Sequence, residues 1–307
     1  MKMTKLKHWS LTVLFFIGCA GAKKFDIKNS NTDATRETPE NKKLAQVLSL
    51  PNDKSLAPTV FVIDLSQQLG YLIETSGQIV ENVAFEIGKT GLVNGKKVNH
   101  RPPTGIFSFE FGPENQIPVF RSILLKQPSK ANTVLSFSPT LTDGNVQEVQ
   151  CQKENCLVMK SKDLEKLSKY IGKQGLVTII LRKGEWLSEE THLEKNQKLE
   201  RFMTAWEAAW ESRDINQYMN LYGAEFTHPK FDREGWKKYK SNLFSTYQQI
   251  DISTGRKMIL NFGPAFFVQF SQKFNSNSYS DAGIKTIIVS NEEIPQIIFE
   301  DWALLNQ

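Results

Sequence analysis

The alternation of apolar and polar positions predicts a β-meander near the start of the first folded domain. Three short runs rich in β-branched and aromatic residues follow one another, TVFVID at 59–64, QLGYLIET at 68–75 and QIVENVAFEI at 78–87. Ser76 and Gly77 separate the second run from the third, which is typical of a tight turn. We therefore expect three consecutive antiparallel strands here.

Further strands are predicted on either side of a cysteine-containing segment. After a loop rich in glycine and lysine at 88–98, HRPPTGIFSFEF at 100–111 has two prolines that restrict the backbone, then a glycine and an apolar run. TVLSFSP is a strand candidate beginning at residue 133, and LVTIIL at 176–181 is predicted as a buried strand. Between these two runs, Cys156 precedes a short amphipathic helix that Asp163 opens.

The second half of the chain changes to a helical period and then returns to strands. Residues 197–212 place Leu199, Met203, Trp206 and Trp210 at helical spacing, and their aromatic rings are expected in the core. Asp214 starts a second helix, and residues 232–247 form a third, with its lysines at 237–240 on a solvated face. The strand candidates that follow are 249–253, 257–262, 265–274, 283–289 and 296–304. Helices followed by an antiparallel sheet predict an α+β cone over residues 195–307, joined by a linker at 183–194.

The N-terminus has the pattern of an export signal. A basic stretch is followed by an apolar run at 11–17, shorter than the roughly 20 residues that span a membrane, so residues 1–18 are predicted to be a signal peptide. FIGC resembles the lipobox of bacterial lipoproteins, which predicts lipidation of Cys19; an ordinary cleaved signal is the alternative, because Phe16 stands where leucine is usual. Residues 19–58 are polar and predicted to be a flexible tether. The expected location is the periplasmic face of a bacterial membrane, with a lipid anchor.

Charge and motif content exclude several classes of function. The net charge is +5, and Lys2, Lys5 and Lys7 of the signal carry three of these charges. The remainder is too small for a nucleic-acid surface, so no nucleic-acid partner is expected. The four histidines are scattered, and no cysteine and histidine cluster has metal-ligand spacing. No nucleotide-binding glycine motif is present, and we expect no cofactor.

Residues 59–182 resemble the catalytic domain of YkuD-type L,D-transpeptidases. The family's Thr-Pro-x-Gly-x-Phe strand motif is similar to RPPTGIFSF at 101–109, with proline and threonine rearranged. Its Ser-x-Gly-Cys block, with an aspartate seven positions after the cysteine, matches Cys156 and Asp163. The resemblance implies that Cys156 attacks the stem tetrapeptide of peptidoglycan and forms an acyl-enzyme, which water or an amine resolves. Peptidoglycan stem peptides are therefore the expected partners.

The catalytic histidine of that family has no counterpart at its expected position. The matching strand carries Ser136 or Phe137 there, and no histidine lies between His100 and His192. A serine hydroxyl is a poor base near neutral pH. His100 is an alternative base that would reach the thiol from another direction. Asn155 replaces the glycine before the nucleophile, where it would permit an unusual turn and supply oxyanion-hole backbone.

The state of Cys156 stays open at this level. Cys151 lies five residues upstream, and in an oxidising compartment the two thiols are candidates for a disulfide that would block the nucleophile. The remaining alternative is a free, inert, buried thiol. Two functions therefore stand: a cysteine-dependent L,D-transpeptidase or L,D-carboxypeptidase, and a pseudoenzyme that binds peptidoglycan or a partner as a cell-wall or cell-shape scaffold.

Residues 195–305 resemble the NTF2-like (SnoaL-like) fold. Bacterial cell-shape L,D-carboxypeptidases likewise combine a YkuD-type domain with an NTF2-like domain in one chain. His228, Asp232, Tyr279 and Asp281 are polar candidates to line or rim the cone. A binding or docking module, with a protein as one conceivable partner, is expected here rather than a second active site.

Overall fold

The computed structural model describes residues 42–52, 56, 59–87, 91–93, 96–98, 104–111, 118–122, 133–140, 156–171 and 176–304. The strands are β1 Lys42–Leu44, β2 Val47–Ser49, β3 Thr59–Asp64, β4 Leu69–Glu74, β5 Ile79–Ile87, β6 Gly91–Val93, β7 Lys96–Val98, β8 Gly105–Phe111, β9 Pro118–Ser122, β10 Thr133–Thr140, β11 Cys156–Lys160, β12 Leu176–Leu181, β13 Trp186–Ser188, β14 Tyr222–Thr227, β15 Ile250–Thr254, β16 Met258–Asn261, β17 Ala265–Ser276, β18 Ser280–Ser290 and β19 Ile297–Leu304. The helices are α1 Ser161–Ser168, α2 Glu189–Glu211, α3 Ile215–Asn220 and α4 Arg233–Thr246.

The first half of the described chain forms a closed β-barrel in the strand order β10-β11-β5-β4-β3-β12-β8-β9. Strands β3, β4 and β5 pair antiparallel in sequence, which confirms the predicted meander. In β3 all six side chains are buried because both faces are covered. Phe61 and Ile63 enter the barrel core, while Val60 and Val62 point to the opposite face and pack outside it.

The second half is a seven-stranded sheet covered by the three helices α2, α3 and α4. Each helix begins at a side-chain cap, in which Ser188, Asp214 and Asp232 accept hydrogen bonds from backbone N–H groups of the first turn. The long strands β17 and β18 pair along their whole length, and β19 follows on the other side of β18. The predicted α+β class with two domains and a C-terminal α+β cone is confirmed.

Three segments that the sequence pattern assigns to connections contain ordered secondary structure. The first is the predicted loop at 88–98, where β6 pairs with β7. Residues 42–50, named here the N-terminal strap, were expected to belong to the tether. Instead β1 pairs with β13, and β2 adds to the edge of the cone sheet beside β16. Its apolar side chains Leu44, Val47 and Leu48 are 4–7% exposed. The short apolar run is buried between two larger surfaces, and this burial offsets the conformational entropy lost when the segment becomes ordered.

The predicted linker at 183–194 is also shorter than expected. Helix α2 begins at Glu189, eight residues before the apolar period becomes visible at residue 197. Ser188 caps this first turn, and Glu189 and Glu190 favour the helix N-terminus electrostatically. Only residues 182–185 lie between β12 and β13 outside regular structure.

An apolar cluster shared by barrel and cone joins the two halves. From the barrel side it contains Val60, Val62, Ile179 and Leu181, and from the outer face of the cone sheet it contains Leu260, Phe267, Ile284 and Ile288. Leu44 and Val47 of the strap complete it. A buried apolar interface of this kind favours a fixed arrangement over free domain motion.

Several predicted features lie outside the described residues. These are the signal peptide, the lipidation site Cys19, His100, Cys151 and Asn155. In the described part of the chain, no helix is long and apolar enough to cross a membrane.

Candidate functional site

Cys156 is the first residue of β11, an internal strand of the barrel. Strand β11 lies between β10, to which it runs parallel, and β5, to which it is antiparallel. In the parallel pair the Cα of Ser136 is the register partner of the Cα of Cys156. The residue at which the YkuD-like resemblance expects a histidine is thus the direct neighbour of the candidate nucleophile across the sheet.

The backbone that follows Cys156 is held by core contacts on one side and by α1 on the other. Leu157 and Met159 are buried in the barrel core together with Leu167 of α1. At the surface Lys166 forms ion pairs with Asp163, at 3.8 Å, and with Glu81 of β5, at 3.4 Å. Asp163 lies in the first turn of α1, where a carboxylate is favourable. These contacts give β11 a defined place in the barrel.

The described part of the chain brings no histidine to Cys156 from its neighbouring strands. Its two histidines are His192 on α2, whose Nε2 lies 2.7 Å from the Val47 carbonyl oxygen of the strap, and His228, which stacks on Trp236 in the cone. The assignments of Cys156 as nucleophile and of Ser136 as the replaced base stay predictions.

The cone contains a buried ionic group that was not predicted. Lys285 of β18 and Glu300 of β19 form an ion pair of 2.6 Å with side chains 4% and 0% exposed. The Tyr222 hydroxyl donates to Glu300 Oε2 at 2.5 Å and accepts from Trp206 Nε1 at 3.0 Å. The hydroxyl of Tyr218 is hydrogen-bonded to that of Tyr222. A charge at this depth is tolerable only because it is paired and hydrogen-bonded.

The arrangement of this buried group determines the protonation states of its carboxyl and phenol groups. Burial alone would raise the pKa of Glu300, but the charges of Lys285 and Lys240 and two hydrogen bonds outweigh it, so that the pKa lies below its usual value. Burial, followed by the negative charge of Glu300, raises the pKa of Tyr218 and that of Tyr222 well above the ordinary range. At neutral pH the group therefore holds an ionised carboxylate with two neutral phenols beside it.

A second buried lysine has aromatic neighbours instead of a carboxylate. Lys240 of α4 is 2% exposed, and its Nζ lies 3.4 Å from the ring centroid of Trp210, 4.7 Å from that of Trp236 and 5.2 Å from that of Tyr218. Among the described residues no carboxylate oxygen is within ion-pair distance of this Nζ. Burial, and to a smaller extent the charge of Lys285, lowers the pKa of Lys240 well below its usual value.

The spacing of Lys240 from two apolar residues of α4 indicates that it is buried, although its charge suggests an exposed position. Trp236, Lys240 and Phe244 are the buried residues of α4 and follow one another at four-residue spacing. The prediction that residues 237–240 form a solvated face is therefore wrong at Lys240, whose position belongs to the apolar stripe. Lys285 and Glu300 similarly lie on the cone-facing side of the sheet, because their register partners Phe270 and Ile287 belong to the cone core.

The predicted rim residues separate into structural and accessible groups. Asp232 caps α4 by accepting a hydrogen bond from Gly235 N at 2.7 Å, so its side chain is used in the fold. Tyr279 is 49% exposed, and its hydroxyl donates to Asp281 Oδ2 at 3.1 Å. Tyr239 is 40% exposed, and the charge of Asp281 contributes to a raised pKa of this phenol, after burial. Tyr279 and Asp281 thus lie together where the cone meets solvent, and Tyr239 is exposed as well.

These features of the cone can be compared with known families. Residues 198–301 match the model of the Cds6 C-terminal NTF2-like domain. The cone is an NTF2-like domain. A search of curated proteins finds no match. In the described residues, no group of three or more histidine, cysteine, aspartate or glutamate side chains is placed to hold a metal ion.

Solved structures match over both halves of the chain. Bd1075 of Bdellovibrio bacteriovorus has a TM-score of 0.72 and 23% identity, covering 87% of this chain and 99% of that one. Pgp2 of Campylobacter jejuni, a helical cell shape determining protein, has a TM-score of 0.55 and 15% identity, covering 81% of this chain and 96% of that one. A variant of Pgp2 gives 0.58, with 84% and 94% covered at 15% identity. This chain therefore shares the two-domain fold of Bd1075 and Pgp2.

Proposed function

We propose that this protein modifies or binds peptidoglycan in the bacterial cell envelope and takes part in determining cell shape. Two observations support this. The barrel followed by an NTF2-like domain is similar in fold to Pgp2, a helical cell shape determining protein. In addition, residues 59–182 resemble YkuD-type L,D-transpeptidases. The chain would act after export, with the predicted signal at 1–18 removed and Cys19 lipidated at the periplasmic face.

The proposed reaction is cleavage of the terminal residue from the stem tetrapeptide. The Cys156 thiolate would attack the carbonyl carbon of the last amide bond, forming a C–S bond. Collapse of the tetrahedral intermediate breaks the C–N bond, and the departing amine takes a proton. Water then attacks the thioester, which regenerates the thiol and leaves a tripeptide; an amine acceptor in place of water would give a cross-link.

The observation that carries this assignment is the pairing of Ser136 with Cys156 in adjacent parallel strands. This pairing supports the proposal, because the YkuD-like resemblance expects the family's base at residue 136, the register partner of the candidate nucleophile. The same pairing favours a second candidate function, because serine cannot act as an efficient base. In that case the protein is a pseudoenzyme that binds stem peptides without turnover.

The experiment is digestion of purified tetrapeptide muropeptides, followed by mass spectrometry. The wild-type chain is expected to produce tripeptide or cross-linked product, and Cys156→Ala is expected to produce neither. Product from both proteins would overturn the role of Cys156. Absence of product from the wild type, together with retention on intact sacculi, would establish the pseudoenzyme instead.

A thiol measurement separates the pseudoenzyme from an enzyme blocked by oxidation. Alkylation under non-reducing conditions, read by intact mass, reports whether Cys151 and Cys156 are free. Alkylation of Cys156 supports a nucleophile. If both thiols become reactive only after reduction, the two are joined as a disulfide, and the digestion is repeated with reductant.

A further inference from the structure

A cavity of about 220 Å³ lies between the strap, the turn that joins β4 to β5, and the start of α2. We name it the strap cavity. Lys43, the turn residues 75–77 and His192 contribute its polar lining. The side chain of Lys43 is 46% exposed, so its ammonium lies at the mouth. The apolar lining consists of Leu44, Val47, Leu48, Leu50 and Ile73.

The connection between β18 and β19 presents an apolar side chain to solvent. Ile294 is 76% exposed, more than any other large apolar side chain of the described residues. Glu292 and Glu293 precede it and are also exposed. We name residues 292–295 the acidic tip. Single exposed apolar residues are common on protein surfaces, so the case for a partner rests on how the tip is held and on what it fits.

The acidic tip is held in one conformation by hydrogen bonds at its base. Ser290 N donates to Gln296 O at 2.8 Å, and Gln296 N donates to Ser290 Oγ at 3.0 Å. From α2, Lys198 Nζ donates to Glu293 O at 3.3 Å. Pro295 restricts the backbone directly after Ile294. A segment that is already ordered loses little conformational entropy when it binds.

The acidic tip and the strap cavity match in size and polarity. A methyl or methylene group takes roughly the 30 Å³ of a water molecule, so the four carbons of an isoleucine side chain need about 120 Å³. The strap cavity, at about 220 Å³, has room for Ile294 and part of Pro295. Its apolar floor is the surface that an isoleucine would bury favourably.

The charges at the two surfaces are opposite. Glu292 and Glu293 flank the apolar side chain of the tip, and Lys43 lies at the mouth of the cavity. Lys43 pairs with Glu189 at 2.9 Å, but both side chains are exposed, at 46% and 77%. An exposed pair of this kind contributes little, and an ammonium has three donors. Lys43 can therefore bind a further carboxylate without loss.

The two surfaces lie beside the same part of α2. His192 lines the strap cavity and Lys198 binds the acidic tip, and six residues of helix separate them by about 9 Å along its axis. Because Ile294 is exposed, it does not fill the cavity of its own chain. A two-fold axis beside the first half of α2 would instead bring each tip to the cavity of the other copy, so that every contact occurs twice.

We propose that two copies of this chain associate, with Ile294 of each copy in the strap cavity of the other. Glu292 and Glu293 then face Lys43 of the partner subunit. A small ligand would fill the cavity but leave Ile294 in water, whereas a second copy accounts for both features. The two contacts are small, so the dissociation constant is expected to be roughly 10–100 µM. This association is separate from Cys156 and does not depend on turnover there.

The test is sedimentation velocity of the full chain between about 1 and 500 µM. Ile294→Asp is expected to weaken the dimer at least tenfold, because it places a carboxylate in an apolar cavity. Leu304→Asp is the matched control and should have no effect, since Leu304 is also exposed, at 62%, but lies at the opposite end of β19. Both positions are exposed, so both variants should melt like the wild type.

An exchange of charges tests whether the tip meets the cavity. Lys43→Glu is expected to weaken its own dimer at least tenfold, and so is the double variant Glu292→Lys with Glu293→Lys. In an equimolar mixture of these two proteins both contacts again join opposite charges. The mixture is therefore expected to regain the wild-type dissociation constant within about threefold.

A photo-reactive benzophenone side chain at residue 294 identifies the occupant of the cavity in cells that express the full chain. Crosslinks to residues 43–50 or 73–77 of a second copy would support the proposal. Crosslinks to a different protein would contradict it.

Three further results would overturn the proposal: a monomer at every concentration, a dimer that Ile294→Asp leaves unchanged, or a mixture of the charge variants that does not associate. Cys156→Ala should dimerise like the wild type. A failure of association is therefore distinct from a failure of muropeptide cleavage, which is measured on Cys156.

Discussion

At residue scale, the pair formed by Ser136 and Cys156 is where a small change has the largest expected chemical effect. Ser136→His would place an imidazole on the strand position paired with the nucleophile. General base catalysis contributes about 10²–10⁴-fold, so an increase of tripeptide release in that range is expected over the wild type. Muropeptide digestion followed by mass spectrometry measures it.

The same strand offers a matched control. Ser138 pairs with Val158, two residues further along β10 and β11, which displaces an introduced histidine by about 6.6 Å from the nucleophile. Ser138→His is therefore expected to leave the rate unchanged. Equal rates for the two histidine variants would contradict the assignment of residue 136 as the base position.

Glu300 is expected to be essential for the stability of the cone. Glu300→Gln removes the charge that pairs with Lys285 and leaves a buried ammonium uncompensated. Breaking a buried ion pair costs about 3–5 kcal/mol of the free energy of unfolding, measurable by urea unfolding at pH 7. The exposed Glu292→Gln is the control and should change stability by less than about 0.5 kcal/mol.

In contrast to Glu300, Lys240 is expected to lower the stability of the cone. Its pKa is lowered in the fold by burial, so that the folded chain binds fewer protons than the unfolded chain between the two pKa values. Stability at this site therefore rises with pH across that window, and the penalty is complete below the folded-state pKa. Lys240→Met removes it and is expected to be neutral or to stabilise by about 1–4 kcal/mol at pH 7. A loss of stability similar to that of Glu300→Gln would indicate that Lys240 is paired.

At the scale of elements, the strap is held to α2 by a buried histidine. His192 Nε2 lies 2.7 Å from Val47 O, and burial lowers the pKa of His192. The fold favours neutral imidazole, so stability is full above the unfolded-state pKa of about 6.5 and falls as pH decreases through the folded-state pKa. His192→Ala is expected to cost about 1–3 kcal/mol, because the Val47 carbonyl loses its partner.

The measurement is urea unfolding of wild type and His192→Ala between pH 5 and pH 8. The wild type should lose stability on acidification, and the variant should lose less, so that the two curves converge at low pH. Parallel curves would show that His192 does not carry this part of the pH dependence.

At the scale of the whole molecule, the strap and the shared apolar cluster are expected to make barrel and cone unfold together. Strand β2 pairs with β16 of the cone, and β1 pairs with β13 beside the barrel. Removing residues 1–50 would expose the shared cluster around Leu260 and Val62, whereas removing residues 1–41 leaves every described element in place. The shorter deletion should retain a single calorimetric transition, and the longer one should lower the transition temperature or split it. Equal thermograms would contradict this role of the strap.

The pattern of apolar and polar residues within short segments predicts many of these secondary-structure elements. The meander at 59–87 could be predicted because its strands are short, β-branched and separated by turn residues. The strands of the strap could not be predicted, because its apolar positions are few and lie within a polar stretch. Burial of these apolar side chains becomes favourable only when the fold brings two larger surfaces together around them. The start of α2 was missed for a related reason, since its first two turns are mainly polar and only a cap marks them.

The sequence by itself determined the α+β class, the order of the two domains and the position of Cys156 ahead of α1, because hydrophobic period and turn chemistry are local properties. Tertiary structure decided which residues meet. It paired Ser136 with Cys156 from strands 20 positions apart, and it brought Lys240, Lys285 and Glu300 from a helix and two strands into one interior. Charged residues at such positions resemble surface residues in the sequence, because their burial depends on partners that are distant along the chain.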